Sequence, residues 1–144
     1  MMDIEEKRIK HLEMIQGVIN RLAGNSFAIK GWSITLVSAL IAIAVDKSDG
    51  KFIFIALLPA AIFWILDGYF LWQERLFREL HNAVRLGQKD KAEDNFTMDT
   101  SLYLDKVPNW FATTFYITKK KPNTLLYFHG IVVLCILIAT KLIG

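Results

Sequence analysis

Three apolar blocks limit what this 144-residue chain can become. Gly31–Val45 carries no charge and extends back through Lys30 to Phe27. Phe52–Trp72 contains one charge, Asp67, and Thr124–Thr140 contains none. A helix that crosses a hydrocarbon core of about 30 Å needs about 20 residues at about 1.5 Å each. The second block meets that alone. The first meets it if Lys30 snorkels toward the headgroups, and the third with its flanks or in a thin bilayer. A core helix of a soluble bundle keeps a polar face, and Phe52–Leu66 has none.

The expected fold is therefore an all-α integral membrane protein with three transmembrane helices plus cytoplasmic amphipathic helices. It forms one membrane domain over 1–144. A cytoplasmic amphipathic helix covers 3–23, the first span 27–45 and the second span 52–72. A cytoplasmic helix and loop cover 74–123, and the third span covers 124–143. A hydrophobic content of 53% excludes disorder. Three spans leave too little chain for a large active-site domain. The lone Cys135 excludes a disulfide framework and a cysteine-only metal site.

Lysine and arginine set the expected orientation. Lys7, Arg8, Lys10 and Arg21 precede the first span. Arg75, Arg78, Arg85, Lys89, Lys91, Lys106 and Lys119–Lys121 lie between the second and third. The Asp46–Lys51 turn and the C-terminal end carry only Lys47, Lys51 and Lys141. The two rich sides agree across a three-span zigzag. This predicts a cytoplasmic N-terminus and a C-terminus on the periplasmic or extracellular side. A charged helical segment precedes the first apolar run and no small-residue cleavage site follows it, so a cleaved signal peptide is not expected.

Ile4, Ile9, Leu12, Ile15, Val18, Ile19 and Leu22 recur at helical spacing and mark one face. Acids come first in this helix and bases follow, which suits its dipole. Its polar face carries both signs, which favours packing on a partner helix over lying on the membrane. Beyond Trp72 the helix is expected to continue out of the membrane, with a stripe of Leu76, Phe77, Leu80, Ala83 and Val84 ending at a Gly87 cap. Gln88–Thr100 reads as a polar loop. Asp105–Thr118 carries Trp110, Phe111, Phe115 and Tyr116 beside Lys119–Lys121, the pattern of an interfacial belt facing anionic lipid.

Two features inside the spans carry physical content. Lys30 lies fifteen residues before Val45, and Asp67 fifteen after Phe52. In an antiparallel hairpin both fall at similar depth near the cytoplasmic side. An unpaired charge at the bilayer centre costs about 2.5–3.5 kcal/mol on insertion scales. Three readings are open: separate snorkelling, an ion pair that sets the hairpin register, or an ion or proton pathway. The second feature is a stripe of small residues, Gly24, Ala28, Gly31, Thr35, Ser38 and Ala42. Small residues let helices approach closely in lipid. The stripe lies about 115° around the helix from Lys30 at 100° per residue, so the two face different neighbours. It packs within the protomer, or it mediates self-association or lines a pore.

These residues also carry a resemblance. The amphipathic helix leads through Asn25-Ser26-Phe27 to Lys30-Gly31-Trp32. The hairpin closes with Ile65-Leu66-Asp67-Gly68-Tyr69-Phe70 and leaves through Gln73-Glu74-Arg75. Over about residues 5–85 this is similar to the SLATT-type small membrane domains of bacteria. The resemblance implies an effector or accessory protein, encoded beside nucleotide-sensing and antiphage systems. It also implies a helical hairpin that assembles and perturbs the membrane, and it carries over Lys30, Trp32, Asp67 and Gly68. The third span lies outside it.

Enzyme signals are poor, and no catalytic residue, cofactor or metal is expected. Arg75 and His81 have the spacing of an R-x4–6-H ribonuclease pair, in which a polar residue usually follows the arginine; here it is Leu76. His129 reads as a membrane histidine bonded to a neighbouring carbonyl, and His11 as a helix-surface residue. There is no phosphate loop, nucleophile elbow or zinc pattern. Interleaved acids and bases argue against nucleic acid as a partner. The expected partners are the lipid bilayer, further copies of the chain and a soluble defence protein at the cytoplasmic face. The function expected is an oligomeric effector or accessory of antiphage defence that permeabilises the membrane. The alternative is a passive anchor or adaptor that recruits a soluble partner through 75–123.

Overall fold

The computed structural model describes residues 3–47, 51–87, 96–115 and 124–143. Its helices are α1 (Ile4–Lys47), α2 (Lys51–Ile55), α3 (Leu57–Arg85), α4 (Trp110–Phe115) and α5 (Thr124–Ile143), with a 3₁₀ helix at Ser101–Lys106. The described residues form no strand. The chain is an all-α membrane protein: Ile4–Lys47, Ile53–Arg85 and Thr124–Leu142 are each long and apolar enough to cross a bilayer. Large apolar side chains such as Phe54, Ile62, Ile65, Leu134 and Ile138 stay exposed on the outside of the bundle. Lipid rather than water can cover such a surface.

α1 runs unbroken for 44 residues, so the expected amphipathic helix and first span are one rod. Glycines at 17, 24 and 31 each cost about 1 kcal/mol of helix propensity. Packing against α3 along the rod keeps it helical through them. The second span, by contrast, is interrupted. Pro59 lacks an N–H and its ring crowds the carbonyl four residues back, at Ile55. The chain answers with a turn at Ala56, whose N–H donates to the Ile53 carbonyl (3.0 Å), and restarts as α3. α3 then continues to Arg85, and Gly87 follows at φ 60°, donating to the Val84 carbonyl. That left-handed step is where glycine is cheapest.

Two apolar clusters occupy the ends of the bundle. At the arginine-rich end Ile15 and Ile19 of α1 pack on Leu76 and Leu80 of α3, with Tyr103 and Val107 closing the layer. At the other end Val37 and Ala44 meet Ile53, Ala60, Val132 and Ile136. The α1 stripe does not bury its beginning: Ile4 is 81% exposed and Ile9 is exposed as well. His11 corrects the sequence expectation. It is buried, its Nε2 lies 2.8 Å from the Thr97 carbonyl oxygen, and Phe96 packs beside its ring. The returning segment after α3 covers it, which no periodicity within α1 encodes. Most of the expected Gln88–Thr100 loop, Tyr116 and Lys119–Lys121 lie outside the described residues.

Candidate functional site

Between the two apolar clusters the three long helices meet at a polar layer. Asp67 of α3 is fully buried there. Lys30 Nζ of α1 lies 2.6 Å from Asp67 Oδ2, and His129 Nε2 of α5 lies 2.9 Å from the same oxygen. The other carboxylate oxygen, Oδ1, accepts from Ser26 Oγ–H. Lys30 Nζ also donates to Ser26 Oγ at 2.8 Å, one turn back on its own helix. One carboxylate therefore ties all three spans.

Element lengths explain the meeting. Asp67 lies fourteen residues on from Ile53, and His129 fourteen before Ile143. Each is about 21 Å from that end of the bundle at 1.5 Å per residue. Lys30, seventeen residues before Lys47, is about 26 Å from it, and its long side chain makes up the difference. Lysine and aspartate cancel in charge. Breaking a buried pair of this kind costs about 3–5 kcal/mol, because one charge is left without its partner.

His129 corrects the expectation of a carbonyl partner: its Nε2–H donates to a carboxylate. Its ring is buried, stacked on Trp64 (5.7 Å, 10°) and met edge-on by Phe128 (5.0 Å). Its Nδ1 is buried with no hydrogen-bond partner among the described residues. Lys30 Nζ also stands 5.9 Å from the Phe128 ring centre, within cation–π range. Among the described residues no group of three His, Cys, Asp or Glu could hold a metal.

α4 caps this layer. Trp64 Nε1–H donates to the Thr114 carbonyl at 3.4 Å. A Cβ on Gly68 would run into the Thr114 side chain, so only glycine lets α4 seat there. Trp32, quoted with Gly68 in the resemblance, is 66% exposed and lies outside the cluster.

The small stripe is not packed within the protomer. All six of its residues are exposed, and a Cβ at Gly24 or Gly31 would meet nothing within 4 Å. Thr35 Oγ1–H is turned back on its own helix to the Gly31 carbonyl (3.0 Å). Arg75 and His81 both border a cleft near the end of α3. Burial, then Arg85 and Arg78, pull the His81 imidazole below its ordinary value by disfavouring its charged form.

No family model matches the chain, and no curated protein or solved structure matches it.

Sequence reasoning singled out Lys30 and Asp67 by depth. It passed over Ser26 and misjudged His129. Ser26 lies four residues before Lys30, on the same helix face. A histidine within an apolar span is itself a sign of a polar partner across the bundle.

Proposed function

We propose that this chain is a membrane effector or accessory protein of bacterial antiphage defence, acting as an oligomer that makes the bilayer permeable. The observation that carries the reading is Asp67, a single carboxylate on which all three spans depend. A partner or an assembly step that pulls Lys30 away leaves buried charge uncompensated, and one that pulls His129 away leaves a buried donor without its acceptor. The spans must then repack or admit water. The open small-residue face of α1 supports assembly, since it allows a second helix to approach closely. The SLATT-type resemblance points the same way. The bias of lysine and arginine supports a cytoplasmic N-terminus and an outward C-terminus in the inner membrane.

Induced expression with a membrane-potential dye tests the reading. Wild-type protein is expected to depolarise cells, and variants at Asp67 to change the extent. A silent wild type, present at normal membrane level, overturns it.

One observation favours the anchor reading. The 3₁₀ helix and α4 fold back on α3, with Tyr103, Thr113 and Thr114 buried, so part of 75–123 presents a formed surface. An anchor predicts capture of a soluble partner by that surface and no depolarisation.

A further inference from the structure

At the end of α3, Arg75, Arg78, Glu79, His81 and Asn82 face Lys106 from the 3₁₀ helix across an open cleft of about 580 Å³. That volume is ordinary for a small-molecule site. Two of its cations, Arg75 and Lys106, make no carboxylate ion pair among the described residues. Arg75 is half-buried and feels the charge of neighbouring Glu74, yet it donates among the described residues to the Thr113 hydroxyl at 3.4 Å, which leaves most of its five donors for a ligand. Lys106 Nζ sits 5.2 Å from the Tyr103 ring centre and pairs with no carboxylate among the described residues. Arg78 is held by Glu74 at 2.7 Å and contributes less charge.

Position narrows the ligand. Arg75 lies twenty-two residues beyond Ile53, about 33 Å along the helix, just past a hydrocarbon core of about 30 Å. Below it α4 exposes Trp110, Phe111 and Phe115, side chains that favour the interface. The cleft thus opens at the depth of lipid phosphates. Arginine donors and a lysine suit a phosphate ester. Glu79 repels a bare anion but accepts from a hydroxyl, and Asn82 can do the same.

We propose that this cleft is a binding site for a hydroxyl-bearing phosphate ester, held by Arg75 and Lys106 through the phosphate and by Glu79 and Asn82 through the hydroxyls. The depth favours a lipid headgroup of the phosphatidylglycerol kind; a soluble polyol phosphate carries the same chemistry. The proposal needs only that the chain span a bilayer, and it stands or falls apart from permeabilisation.

The test uses the full chain in nanodiscs. In one arm the discs hold phosphatidylcholine with a fifth phosphatidylglycerol, and native mass spectrometry counts retained lipid. In the other the discs are phosphatidylcholine alone, and glycerol 3-phosphate is added while the melting temperature is read. Retention of phosphatidylglycerol, reduced at least fivefold in Arg75→Gln and Lys106→Gln and unchanged in Arg8→Gln, supports the site with a lipid ligand. Stabilisation in the second arm, lost in the same two variants, supports it with a soluble one. Lys106 is exposed, so Lys106→Gln tests the site without touching the core. Arg75→Lys, which keeps the charge, is expected to keep part of the binding. Equal behaviour of wild type and Lys106→Gln in both arms overturns the proposal.

Discussion

Lys30 Nζ of α1 and His129 Nε2 of α5 share one oxygen of Asp67 on α3, at 2.6 and 2.9 Å. A shared acceptor makes the three spans interdependent: removing the carboxylate loosens α1 and α5 together.

Asp67→Asn is expected to lower stability by up to about 3–5 kcal/mol. The loss should be smaller than for a sealed pair, because Lys30 keeps 25% of its side chain exposed and can snorkel. Lys30→Met combined with Asp67→Leu replaces the pair with apolar groups and should recover part of it, less about 1–3 kcal/mol for the His129 donor left without its acceptor. Thermal unfolding in mild detergent measures Asp67→Asn, the double variant and its two single components, Lys30→Met and Asp67→Leu. A double variant no better than the sum of the singles shows that the two residues do not act as a unit.

Gly68→Ala is expected to destabilise by about 1–3 kcal/mol through overpacking, because the new Cβ meets a buried, branched Thr114. Thr114→Gly should restore part of the loss. Gly24→Ala and Gly31→Ala, with open space around them, should leave the melting temperature unchanged or raise it. Equal effects at positions 24, 31 and 68 would contradict this packing.

Gly24→Leu and Gly31→Leu are expected to keep the protomer folded and inserted, since neither removes a charge and the Cβ at each position faces open space. Both should shrink the detergent particle and abolish depolarisation if helices meet at that face. Crosslinking or native mass spectrometry reads the particle. An unchanged oligomer in both variants would remove the stripe from the assembly interface.

His81 binds its proton less well in the folded chain than its ordinary value of 6.5 implies. The unfolded chain therefore takes up that proton first as pH falls. Stability should decline once pH drops below about 6.5 and level off below the folded value. The His81→Gln variant should show a shallower decline in that window, measured as melting temperature between pH 7.5 and 5. An identical decline would place the acid sensitivity elsewhere.

Much of this molecule could be read from local chemistry. Hydropathy located the three spans, because a run of apolar side chains is a property of the segment alone. The end of α3 was legible in the Leu76–Val84 stripe and in Gly87, since helical period and a left-handed step are short-range constraints. Lys30 and Asp67 could be matched in depth by counting residues, because helical rise is constant.

Tertiary structure decided the rest. Which way α5 rotates, and so whether His129 meets a carbonyl or Asp67, depends on packing between segments more than sixty residues apart. The burial of His11 depends on where the chain returns at Phe96–Thr97. Lys106 faces Arg75 only because the 3₁₀ helix folds back along α3. Sequence periodicity describes one helix at a time. It says which side chains share a face, and the fold says what that face meets.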